Sequence, residues 1–82
     1  MDITILSPVA QIFAGPAGRV VVPGEQGIFE ILPFHRPLVS RLLPGVMAVD
    51  DQRIAIKRGV IKVQYDQIIA IIEPDSPSLP TP

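Results

Sequence analysis

Apolar residues in this chain fall in short bursts closed by proline, glycine or acidic pairs, a rhythm of strands and turns rather than helices. Residues 3–6 read as a strand ended by Ser7 and Pro8. Residues 9–14, carrying Ile12 and Phe13, read as a second, and residues 19–22 as a third. The run Val20, Val21, Val22 predicts burial on both faces, or a strand passing from one sheet to another. Gly15-Pro16-Ala17-Gly18 and Pro23-Gly24 read as turns, because glycine admits positive φ and proline fixes φ while removing a donor.

Residues 28–32 form a strand with Phe29 and Ile31 on one face and Ile28, Glu30 and Leu32 on the other. Pro33 and Pro37 bias Leu32 and Arg36 away from the helical region. Residues 33–37 are therefore expected to be an extended, exposed elbow displaying His35. Residues 38–43 fit a short helix, with Pro37 at its first position and Leu38 and Leu42 one turn apart, or a strand; the segment is short for a helix and its neighbours favour strand. Residues 46–49 and 53–57 flank Asp50-Asp51-Gln52 as a hairpin. Residues 60–65 alternate with a period of two. The unbroken isoleucine and alanine of residues 68–72 predicts a central strand, either buried on both faces or covered by a partner. From Glu73 onward prolines are dense and periodicity vanishes, which predicts a domain over residues 1–73 and a Pro-rich disordered tail over 74–82. The expected fold is all-β, a small flattened β-sandwich or barrel of about eight to ten strands.

Length and charge narrow the picture. The 82 residues allow one small domain, and a chain of this size buries only about 60% of its unfolded surface. It has no cysteine, so apolar packing alone must supply stability of roughly 3 to 5 kcal/mol. Forty-eight per cent apolar residues, rich in isoleucine and valine, make that feasible in a pleated sheet. A net charge of −1 offers no basic field for nucleic acid or an anionic membrane. No apolar run approaches the roughly 20 residues of a membrane span, and the N-terminus lacks a signal-like core. The chain reads as soluble, unprocessed and without direct membrane insertion.

Reactive constellations are sparse. His35 is the only histidine and has no cysteine to pair with, so it reads as a turn or interface residue. Asp50 and Asp51 lack a third ligand at useful spacing and read as a solvated turn. Pro23-Gly24-Glu25-Gln26-Gly27 lacks the lysine and hydroxyl residue of a phosphate loop. Ser7 and Ser40 have no predictable base; Arg36, Arg41 and Arg53 read as surface charges, and Met47 as core filling. No catalytic residue, cofactor or metal is expected.

Residues 23–45, PGEQGIFEILPFHRPLVSRLLPG, resemble the N-terminal β-sandwich of the epsilon subunit of the bacterial and chloroplast F-type ATP synthase, called delta in mitochondria. The family pattern of a Gly, a short acidic loop, Gly, an apolar strand, Pro-Gly-His-Ala-Pro-Leu and a closing Lys-Pro-Gly matches Gly24 to Gly27, residues 28–32, Pro33-Phe34-His35-Arg36-Pro37-Leu38 and Leu43-Pro44-Gly45. The opening ITILSPVAQIFAG and the closing IAIKRGVIKVQYDQIIAII are also similar, so the resemblance covers about residues 2 to 73. Phe34 stands where the family has glycine, Arg36 where it has a small residue, and Arg58-Gly59 where Gly-Gly is common.

The resemblance implies a non-catalytic central-stalk subunit that binds the gamma subunit and rests on the membrane c-ring, at the cytoplasmic face of the bacterial plasma membrane. Ser7 and His35, with Arg36 and Pro37 beside the latter, match the gamma-facing surface. Glu25, Gln26, Gly27 and Ile28 match the ring-facing edge, where Ile28 replaces a residue that is often acidic and implies an apolar contact. The Pro-rich stretch does not resemble the family's C-terminal helical hairpin, so ATP sensing and inhibition are not expected of it. The alternative is a free-standing β-sandwich that binds another protein or a ligand through the same elbow.

Overall fold

The computed structural model describes residues 1–75. Eight strands follow in chain order: β1 (Asp2–Leu6), β2 (Gln11–Pro16), β3 (Val20–Gly24), β4 (Gly27–Ile31), β5 (Leu38–Leu42), β6 (Gly45–Val49), β7 (Gln52–Gln64) and β8 (Gln67–Pro74). The all-β expectation holds, and no helix forms among the described residues. One path of hydrogen-bonded neighbours runs β2-β1-β8-β7-β5-β3-β4, with β6 joining β3 to β7. All pairings are antiparallel except that of β1 with β8.

The long strand β7 folds this sheet onto itself. Residues 53–57 and 60–65 were expected as two strands parted by Arg58-Gly59; they are one. Its first half pairs with β6 from Gln52 to Ile56, and its second half with β5 from Gly59 to Val63. A register shift against β8 between Ile56 and Arg58 supplies the bend. A bulge sharpens local twist without ending a strand, which is how one chain segment serves both layers.

β3 makes the matching hand-over on the other side. Val20 and Val21 pair with β6, whereas Gly24 pairs with β5. Of the two alternatives for the valine run, the passage from one layer to the other is thus the one present. The turn expected at Pro23-Gly24 is not, because both residues belong to β3 and the reversal falls at Glu25 and Gln26. Proline is tolerated there for a geometric reason. Its carbonyl points away from β4 and accepts the Leu43 amide at 2.8 Å, so its nitrogen faces the gap between the β6 and β5 ladders, where no donor is required. Likewise Gly15 and Pro16 extend the edge strand β2 rather than forming the turn expected of them.

The core is aliphatic. Ile3, Ile5, Val20, Val22, Ile31, Met47, Ile56, Ile61 and Ile68 are fully or almost fully buried, and no polar or charged residue is buried among the described residues. Each such side chain contributes about 1.5 to 3 kcal/mol of transfer free energy. Met47 fills the core as expected.

Two end assignments shift. β8 continues through Glu73 and Pro74, which pair with Arg58 and Ile56, and the Asp75 amide donates to Ala55 O at 2.9 Å. The last strand therefore outlasts the residue at which the proline-rich composition begins. The remainder of the expected tail, residues 76–82, lies outside the described residues. β8 is central, between β1 and β7, but it is not buried on both faces: Ile68, Ala70 and Ile72 point inward while Ile69 and Ile71 are 44% and 52% exposed. Among the described residues no second layer covers that side.

Candidate functional site

Alternation in β1, β8, β5 and the second half of β7 sends one set of side chains into the core and the other to the outer face of a single sheet. Register places Leu6, Ile71, Val60 and Arg41 in one cross-strand row, and Thr4, Ile69, Lys62 and Val39 in the next. Val39, Val60, Ile69 and Ile71 remain substantially exposed. Apolar side chains from three adjacent strands thus share one uncovered face, interrupted by two cations. Exposed apolar patches are the surfaces on which interaction sites are sought.

The elbow lies at one end of that face. The His35 amide donates to Leu32 O at 3.1 Å across Pro33 and Phe34, and Phe34 has φ of +70°. This is a tight turn with proline second and a positive φ third, the place ordinarily given to glycine. The elbow therefore bends at Pro33-Phe34 instead of running extended throughout. His35 is half-buried rather than displayed, and its Nδ1 lies 2.7 Å from Arg36 O; Phe34 is the residue displayed, 92% exposed.

The Glu25-Gln26 turn lies at the other end, because Gly24 pairs with Leu42 whereas the elbow leads into Leu38. Between them β4 and β5, each paired with β3 rather than with the other, border an open groove of ≈ 900 Å³. Glu25, Gln26, Gly27 and Ile28 line it together with His35, Arg36 and Arg41. Six of the eight residues singled out in the sequence thus border one groove. Pro37 faces a shallower hollow with Leu38, Lys62 and Tyr65.

Ser7 belongs to the Glu25 end, since Pro8 and Glu25 border the same hollow beside Arg41. Its hydroxyl donates to Ala10 O at 3.2 Å and accepts the Ala10 amide at 3.1 Å, tying the β1–β2 connection. Asp50 is also engaged within the chain, across a long sequence separation. Its carboxylate accepts the amides of Gly18 and Arg19 at 3.1 and 3.0 Å, and no group of acidic or histidine side chains able to hold a metal occurs among the described residues. Sequence reasoning missed the outer-face row and Phe34. The first needed register; the second was visible only as a bulky residue in a glycine position.

The described residues form a β-sandwich domain with one exposed, partly apolar sheet face. The particular family follows from comparison: the chain belongs to the ATP synthase delta/epsilon chain β-sandwich domain family, whose model matches residues 1–73. It is 38% identical over 79 residues to ATP synthase epsilon chain 2 of Burkholderia orbicola (strain AU 1054), a match covering 89% of this chain and 52% of that protein. With the ATP synthase epsilon chain of Acidithiobacillus ferridurans it shares 31% over 77 residues, covering 89% of this chain and 55% of that one. The chain therefore spans about half the length of the curated relatives it matches.

Solved structures agree on the fold. A chain of the Euglena gracilis mitochondrial ATP synthase superposes with a TM-score of 0.79 at 18% identity, over 85% of this chain and 48% of that one. A chain of the Tetrahymena thermophila mitochondrial ATP synthase central stalk and c-ring gives 0.73 at 12% identity, over 99% and 74%. The chain is a homologue of the epsilon chain, a non-catalytic subunit. No helix among the described residues is long and apolar enough to cross a membrane.

Proposed function

We propose that this chain is a rotor subunit of an F-type ATP synthase central stalk, binding the gamma subunit and the c-ring so that ion flow and ATP synthesis or hydrolysis are mechanically coupled. The observation that carries the proposal is the uncovered apolar face of Val39, Val60, Ile69 and Ile71 on a domain of an ATP synthase family. Torque transmission demands a stiff block with adhesive sides and no reactive group, and a close-packed aliphatic core meets that demand. The gamma subunit covers the outer face, with Ser7 at one end and His35, Arg36 and Pro37 at the other. The ring contacts Glu25, Gln26, Gly27 and Ile28. Ile28 is 77% exposed at the turn, so this contact is apolar where a carboxylate would have made it ionic. The complex sits at the cytoplasmic face of the bacterial plasma membrane, to which this chain is held by its partners.

Co-purification tests the reading. The tagged chain, co-expressed with the gamma subunit and c-ring of its own complex, should recover both. A double Ile69→Ser, Ile71→Ser variant should fold and recover much less gamma. Recovery of neither partner by the wild-type chain would overturn the proposal.

A further inference from the structure

Among the described non-glycine residues with positive φ, two are exposed aromatics, and they lie at the same end of the sandwich. Phe34 (φ +70°) is 92% exposed at the tip of the elbow, and Tyr65 (φ +56°) is 78% exposed in the β7–β8 turn. Leu38 pairs with Val63, so the elbow entering β5 and the turn leaving β7 are side by side; Pro37 and Tyr65 border one hollow. The third such residue, Asp50, differs in kind. Aspartate tolerates this conformation, and its carboxylate is engaged by two backbone amides.

A bulky residue in the left-handed region stores strain of about 1 kcal/mol or more, which glycine would avoid. Phe34 and Tyr65 recover almost none of it by burial within this chain. Arg36 and Lys62, which flank the two turns, are exposed and have no ion-pair partner among the described residues. The one carboxylate at the tip of these turns, Asp66, lies 3.9 Å from the Met1 ammonium. The end surface therefore presents two aromatic projections between unmatched cations.

We infer that Phe34 and Tyr65 are docking anchors, which enter an apolar socket on a protein partner whose rim carries carboxylates facing Arg36 and Lys62. Aromatic residues and arginine are enriched among the side chains that dominate the binding energy of protein interfaces, and an aromatic ring buries large area with only two rotatable side-chain bonds. The inference rests on the stalk assignment, from which it takes the gamma subunit as that partner, and it adds the residues that set specificity.

Rebinding of the full chain to its cognate stalk complex, stripped of this subunit, provides the test. Phe34→Gly should melt at or above the wild-type temperature, since strain is relieved and no packing is lost, yet bind roughly tenfold or more weakly. Phe34→Leu should fall between the two. Arg36→Glu should weaken binding and steepen the loss for Phe34→Gly, and raising salt should weaken the wild type but not Arg36→Glu. Phe34→Gly and Tyr65→Gly both binding within twofold of wild type would sink the anchors while leaving the stalk assignment intact. Failure of the wild-type chain itself to rebind would overturn both.

Discussion

Gly59 and Ile72 face each other across the β7–β8 ladder so closely that a Cβ on Gly59 would lie 2.9 Å from Ile72 Cγ2 and 2.8 Å from Ile71 O. The backbone oxygen cannot swing aside as a flexible side chain could. Gly59→Ala must push β8 away from the bend that joins the two layers, and overpacking of this sort costs about 1 to 3 kcal/mol. In a domain of this size that lowers the melting temperature by roughly 4 to 24 °C, measured by thermal denaturation. An unchanged melting temperature would mean that the strands already stand further apart.

Asp50 ties the β6–β7 turn to the backbone entering β3 through two amide hydrogen bonds, and does so at a φ of +51°. Asp50→Ala removes both acceptors and places a less tolerant residue in the left-handed region. The expected loss is about 1 to 2 kcal/mol. Asp50→Asn, which keeps an acceptor and the tolerance, should cost visibly less by urea titration. Equal losses would assign the effect to charge alone.

These two sites show what could and could not be read from the residues in order. Period-two alternation made the second half of β7 recognisable, an unbroken apolar run did the same for β8, and punctuation by Pro33 and Pro37 marked the elbow. The errors cluster where a turn-forming residue serves as a strand residue. Pro23 stands at the gap between two ladders, and Gly59 is needed because β8 approaches too closely for a side chain; neither reason is local in sequence. The groove shared by Ile28 and Arg36 was not legible: the resemblance assigned the two residues to different surfaces, and the strands that carry the groove, β4 and β5, are brought to it through their separate pairings with β3. The uncovered side of β8 was one of two alternatives open for a continuous apolar run, since composition cannot say whether a covering layer comes from the same chain.

Cross-strand charges contribute little. Arg19 pairs with Glu30, and Arg58 with Glu73 at 3.1 Å, but all four side chains are substantially exposed. Solvent screening leaves each pair worth under about 1 kcal/mol. Glu30→Gln and Glu73→Gln should each shift the urea midpoint only slightly, and 1 M salt should abolish whatever shift remains.

Ile28 lies at the turn end of the groove and contributes nothing to the core. Ile28→Glu should leave folding stability within about 0.5 kcal/mol of wild type. Attachment to the ring, read by co-sedimentation with the membrane sector, should nevertheless fall, because a carboxylate would have to be desolvated against an apolar contact. Undiminished attachment would remove Ile28 from the ring interface.

Ile71 and Ile72 are chemically identical neighbours on β8 with opposite surroundings: Ile72 is 1% exposed and Ile71 52%. Ile72→Ala leaves a cavity between the layers and should cost about 2 to 5 kcal/mol, enough to unfold much of a small domain. Ile71→Ala leaves no cavity, so its cost in the isolated chain should stay below about 1 kcal/mol. If a partner covers the outer face, the order reverses in the assembled complex: Ile71→Ala then truncates an interface residue and should raise the dissociation rate severalfold, whereas the Ile72→Ala molecules that remain folded should dissociate at the wild-type rate. Comparing urea unfolding of the free chain with its dissociation from gamma separates packing from adhesion. An Ile71→Ala variant that is silent in both measurements would leave the exposed face of β8 without a partner.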